Sequence, residues 1–173
     1  GLELNVSCPN VREGGASFGT DPKRLAQVVA AVRRRTELTL LTKLAPNVPD
    51  IRIFARAAAE AGSDALSVSN TIPAMVIDVE TRRPVLANRI GGLSGPALHP
   101  VAVKLVWDCA QAVRIPVVGM GGIFEAEDAL EFLIAGACAV AVGTANFVDP
   151  TTPLRVAAGI ADYLRRHGLA SVA

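Results

Sequence analysis

Residues Ile115 to Thr144 read I-P-V-V-G-M-G-G-I-F-E-A-E-D-A-L-E-F-L-I-A-G-A-C-A-V-A-V-G-T, and their order decides the fold. Ile115 to Met120 is the apolar run of a buried strand and ends in Gly121-Gly122. Glu125 to Ala135 has helical periodicity and is closed by Gly136. Ala137 to Val142 is a second buried strand, followed by Gly143-Thr144. A strand, a helix and a strand, each strand running into glycine, make one parallel unit. Backbone N–H groups in such glycine loops bind anions. Two of them, one helix apart, match the phosphate site that often follows strands seven and eight of a (β/α)8 barrel.

The rhythm continues on both sides. A final helix is expected over Thr152 to His167. Upstream, Ala97 to Arg114 reads as a helix with Trp107 and Cys109 packed in the core, and His99 as a loop or helix-start histidine rather than a base. Gly91-Gly92-Leu93-Ser94-Gly95-Pro96 is a loop where backbone can approach a ligand closely. Between Ile72 and Gly95 the rhythm breaks into two strand-like pieces, Met75–Val79 and Val85–Ile90, around a basic turn, Arg82-Arg83-Pro84. That is the pattern of a β-excursion on top of a barrel. Ser63 to Ser69 is a strand ending in Asn70-Thr71, and Pro49-Asp50 opens an Ala-rich helix that stops at Gly62.

Leu38 to Leu44 is another strand, and Lys43 lies inside it. A lysine there either faces water from an edge strand or meets an anion, because an unpaired buried ammonium is costly. Thr20-Asp21-Pro22 caps the helix before it, with Leu25, Val28, Val29 and Val32 on its apolar face and Arg33, Arg34 and Arg35 at a solvated end that complements the helix dipole. At the start of the chain, Leu2, Leu4 and Val6 alternate with Glu3, Asn5 and Ser7, the period of a strand. It runs into Cys8-Pro9-Asn10 and then a glycine-rich loop through Gly19, shaped either as a surface loop or as a mobile lid. A lone cysteine on a strand is ordinarily core packing. Here Asn5 and Asn10 flank it and the glycine loop follows at once, so Cys8 is a candidate for chemistry at a strand's carboxyl end.

Counting the final two strands as seven and eight makes the first strand number four. The reading is therefore an α/β chain, one domain over 1–173, holding about the last five units of a (β/α)8 barrel with the excursion at about 72–95. A full barrel takes roughly 250 residues, so about 90 to 120 residues are expected upstream. The net charge of +1 gives no electrostatic case for nucleic acid or an anionic membrane. No run approaches the roughly 18 apolar residues of a membrane span. Three scattered cysteines, Cys8, Cys109 and Cys138, lack metal or iron–sulfur spacing and read as reduced thiols of a cytoplasmic protein.

The run L-E-L-N-V-S-C-P-N, the loop G-G-A-S-F-G, and then N-T, G-G-L-S-G-P, G-M-G-G and V-G-T-A-N-F in that order resemble the class 1 dihydroorotate dehydrogenases, flavoproteins of pyrimidine synthesis. The chain is most similar to the class 1B branch, the catalytic subunit of an NAD-linked complex. The resemblance implies FMN as cofactor, dihydroorotate and orotate as substrate and product, and Cys8 as the base that removes the C5 proton. It implies that Asn5, Asn10, Asn70 and Thr71 bind the pyrimidine, with Asn5 also near the flavin. Lys43, Ser69, Gly95, Gly121, Gly122, Gly143 and Thr144 fall on FMN contacts. It also implies an electron-transfer partner subunit carrying FAD and an iron–sulfur cluster, and a homodimer, with no metal on this chain. Three other readings stay open: a flavin dihydropyrimidine dehydrogenase, which shares S-C-P; a phosphate-binding barrel of other chemistry; and a non-catalytic half-barrel that needs a complementary part.

Overall fold

The computed structural model describes residues 1–6 and 18–172. Strand β1 (Leu2–Asn5) is followed by helix α1 (Pro22–Arg33), β2 (Leu40–Lys43), α2 (Ile51–Glu60) and β3 (Ala65–Val68). The excursion holds four short strands, β4 (Ile72–Ala74), β5 (Ile77–Asp78), β6 (Arg83–Pro84) and β7 (Gly91–Leu93). A 3-10 turn, Pro96–Leu98, leads into α3 (His99–Ala112), then β8 (Val117–Met120), α4 (Ala126–Ile134), β9 (Ala139–Ala141), a short α5 (Ala145–Val148) and α6 (Thr152–His167).

Five strands form one parallel sheet in the order β1-β2-β3-β8-β9, so each major strand lies beside the next in sequence with a helix between. The register sets Asn5 opposite Lys43, Lys43 opposite Ser67, and Met120 opposite Ala141, which brings the carboxyl ends of the strands to one rim. Among the described residues β1 and β9 each pair on one side only, so the sheet is open. Two separate antiparallel ladders, β4 with β7 and β5 with β6, make the excursion.

Local chemistry explains where the helices start. Asp21 accepts from the N–H groups of Lys23 and Arg24, and Pro22 fills the first helical position of α1, where no donor is needed. Asp50 caps α2 through the N–H of Arg52. Glu125 and Asp128 form a reciprocal capping box at α4. The core is the interface between the sheet and the buried faces of these helices. Phe132 of α4 is fully buried against Gly119 of β8, where a Cβ would come within 2.7 Å of the ring. Burying such a ring contributes roughly 1.5–3 kcal/mol.

Four details differ from the sequence reading. Trp107 is 53% exposed rather than core-packed, because Ala102, Leu105, Val106 and Cys109 define the buried face of α3 and Trp107 points away from it. Arg33 does not end in solvent: its guanidinium donates to the carbonyls of Thr36 and Leu38 and pairs with Asp64 at 2.8 Å. Val85–Ile90 is not a strand; it turns through Arg89, at φ 65°, with Arg89 N–H donating to Leu86 O. Of Met75–Val79 only Ile77 and Asp78 form a strand, since the ladder there is two residues long, with the Val85 N–H donating to Val76 O beside it. The helix over Thr152–His167 matches its expected limits.

Candidate active site

The carboxyl ends of the strands surround a cleft of about 370 Å³, within the range of small-molecule sites. Each contributing segment leaves a strand just as regular pairing stops. Lys43 is the last residue of β2; Ser69, Asn70 and Thr71 follow β3; Gly121 and Gly122 follow β8; Gly143 and Thr144 follow β9. Ser94 and Gly95 come from the end of the excursion. All of these line the one cleft.

Lys43 meets its anion inside the protein. Its Nζ lies 4.0 Å from Glu3 Oε1, and Ser67 donates its hydroxyl to the other carboxylate oxygen at 2.6 Å. Glu3 also lines the cleft, a role its place in the alternating pattern of β1 did not signal. Asn70 donates to Asn5 Oδ1 at 3.4 Å, so two of the carboxamides read from sequence meet across the ends of β1 and β3. Asn70 Oδ1 in turn accepts from the Thr71 N–H at 2.8 Å, which orients the Asn70 side chain. The peptide between Val68 and Ser69 is cis.

The two glycine loops offer different surfaces. Gly121 and Gly122 have φ of 134° and 71°, and a Cβ on Gly122 would come within 2.6 Å of Gly95 O and 2.8 Å of His99 Cβ. Only glycine suits both the dihedral and the gap. A Cβ on Gly143 would meet nothing within 4 Å, so its backbone opens onto free space. Asn146 donates to the carbonyls of Val142 and Gly143 and steadies that loop from α5.

Cys8 and Asn10 lie outside the described residues. Of the other thiols, Cys109 is buried and burial pushes its pKa up to about 12, which leaves it protonated and inert at neutral pH. Cys138 is exposed, at the far end of β9 from the cleft. Among the described residues no three His, Cys, Asp or Glu side chains group as a metal site, and no helix is long and apolar enough to cross a membrane.

A family model described as dihydroorotate dehydrogenase matches residues 1–164. The chain belongs to the dihydroorotate dehydrogenase family. It is 56% identical over 172 residues to the dihydroorotate dehydrogenase B (NAD(+)) catalytic subunit of Geotalea daltonii, covering 99% of this chain and 56% of that one. It is 58% identical over 171 residues to the subunit of the same name from Desulforudis audaxviator, covering 99% of this chain and 56% of that one. The fold is similar to that of dihydroorotate dehydrogenase from Eimeria tenella, solved in complex with ferulenol, with a TM-score of 0.81 and 27% identity over 99% of this chain and 51% of that one. The chain thus spans about half the length of these relatives, and its α/β architecture is a partial barrel. Within this chain, Asn5 and the nine cleft residues read from sequence come together at one rim. Ser94 and Glu3 join them unannounced. Ser94 stood in a loop read for its glycines, and Glu3 in a strand read for its alternation.

Proposed function

We propose that the chain supplies strands four to eight of an FMN-dependent barrel that oxidises dihydroorotate to orotate in cytoplasmic pyrimidine biosynthesis. The observation that carries this reading is the convergence of Lys43, Ser69, Asn70, Thr71, Gly95, Gly121, Gly122, Gly143 and Thr144 on one cleft. Those residues fit FMN. Lys43 offers a cation, Ser69, Asn70 and Thr71 offer hydrogen bonds, and the Gly121–Gly122 turn and the Gly143 loop, the latter opening onto free space, are the pair of glycine loops that would take the phosphate. FMN, when bound, supplies a two-electron acceptor for the hydride that leaves C6 of dihydroorotate.

The chain's own residues do the rest. Cys8, as thiolate, takes the proton from C5 of dihydroorotate, so the carbon–carbon double bond forms as the hydride departs. Asn5, Asn10, Asn70 and Thr71 hold the pyrimidine ring so that C5 faces the thiolate. Lys43 supplies the positive charge that balances the electrons taken up in the cleft. Its place in the lining of the cleft supports this. The names of the relatives support an electron-transfer partner subunit, which would carry FAD and an iron–sulfur cluster and pass electrons to NAD. The exposed apolar side chains of the excursion, Val76, Ile77, Val79 and Val85 among them, support a covered surface there, as in a homodimer.

The test is flavin retention. The purified protein is mixed with FMN and desalted, and dihydroorotate is added without oxygen. Retained yellow colour that bleaches with dihydroorotate and not with dihydrouracil is the expected result; bleaching with dihydrouracil alone would move the assignment to a dihydropyrimidine dehydrogenase. Cys8→Ser should keep the flavin and slow bleaching at pH 7 by roughly 100-fold or more, the scale of a lost general base. The two open edges of the sheet favour a second reading, in which the 173 residues are a non-catalytic half-barrel until further strands pair with β1 and β9. Failure to retain flavin unless such strands are supplied would select it.

A further inference from the structure

His99 opens α3 beneath the Gly121–Gly122 turn and is nearly buried, with 11% of its side chain exposed. Its Nδ1 is 3.3 Å from Gly121 O, and its Nε2 is 3.3 Å from Glu131 Oε2 and 4.0 Å from Asp128 Oδ1. The ring stands edge-on to Phe132, with centroids 5.2 Å apart. Among the described residues, the polar atoms that meet the imidazole are these three oxygens. A carbonyl accepts and does not donate, so Nδ1 carries the hydrogen in the contact with Gly121. Asp128 is itself held by the N–H groups of Phe124 and Glu125. Arg166 of α6, which shares a surface groove with Glu131, is paired with Asp162. The backbone of the turn also rests directly on this residue, since a Cβ on Gly122 would lie 3.1 Å from His99 Cα.

We infer that His99 is a positioning residue for the Gly121–Gly122 turn: Nδ1 fixes the Gly121 carbonyl, Nε2 is anchored to α4, and the turn is thereby aimed at the phosphate end of FMN. This rests on the assignment of the turn to FMN made above. His99 does not line the cleft and touches neither substrate nor cofactor. It acts through the backbone that does.

The two ring nitrogens can be separated by substitution. The amide of His99→Asn reaches the place of Nδ1 and can still donate to Gly121 O; the amide of His99→Gln reaches the place of Nε2 and can serve only Glu131. Affinities for FMN and for riboflavin, which lacks the phosphate, are measured by flavin fluorescence on both variants and the parent protein. His99→Gln should weaken FMN by about tenfold, the scale of one such hydrogen bond, and leave riboflavin within about twofold. His99→Asn should bind both flavins like the parent. Equal behaviour of the two variants, or equal loss of both flavins, would overturn the inference. Deuterium uptake is followed in the flavin-free proteins. The segment containing Gly121 to Ile123 should exchange faster in His99→Gln than in His99→Asn, and identical uptake would also overturn it. A parent protein that binds neither flavin would select the half-barrel reading instead, and the exchange comparison would then decide the role of His99 by itself.

Discussion

The loops after β8 and β9 look alike in sequence and differ in what their glycines are for. After β8, Gly122 is squeezed between the carbonyl of Gly95 and the backbone of His99, at a dihedral that L side chains rarely adopt. After β9, Gly143 has nothing near the place where a Cβ would stand. The first glycine is demanded by packing inside the protein; the second is under no such demand. A glycine at a strand's end is thus one signal with more than one physical origin.

Gly122→Ala should be the most damaging substitution in either loop. Positive φ and two contacts under 3.0 Å should together lower unfolding free energy by about 3 kcal/mol, read from urea denaturation. A stability like that of the parent would show that the turn can shift and that packing does not demand the glycine. Gly143→Ala should do the reverse. Its stability should stay within about 0.5 kcal/mol of the parent, while FMN affinity drops, because the added methyl occupies the approach. Unchanged affinity would remove Gly143 from the candidate site.

The smallest effect sharpens the contrast between the two sides with acid. The segment between α5 and α6 is held by Asp149, whose carboxyl is kept below the usual carboxylate range by the Thr151 hydroxyl, then the Thr151 N–H, then Arg155. A lowered folded value means that this contribution is full above the ordinary carboxylate value, about 3.9, and is lost as pH falls through the lower folded one. Deuterium uptake near Thr151 should therefore rise below about pH 4, and Asp149→Asn should abolish that dependence. The same rise in the variant would place the acid sensitivity elsewhere.

Much of this was legible because it depends on neighbours close in sequence. The cap at Asp21, the stop at Gly62 and the limits of α6 follow from local backbone chemistry. The rim could be read because parallel strands with helices between them bring all their carboxyl ends to one side, so Lys43, Asn70, Gly121 and Gly143 had to meet once the strands were found. What was not legible depends on partners distant in the chain. Trp107 sits on a helix whose apolar residues extend partly round the cylinder, so the choice of buried face belongs to the sheet. Arg33 looked like a solvated charge because Asp64, the carboxylate that pairs with it, lies 31 residues further along the chain. Glu3 gave no sign of meeting Lys43 and Ser67, which lie one and two strands away. The excursion's ladders, two and three residues long, are too short to show a period.

The Arg33 guanidinium gathers the carbonyls of Thr36 and Leu38 together with Asp64, and Asp64 takes the N–H of Leu40, so the amino ends of β2 and β3 are tied to the end of α1. The cleft lies at the other end of those strands. Residues around the cleft can therefore be exchanged over evolutionary time without loosening the knot that orders the strands, and a lineage can explore new ligands on an inherited frame.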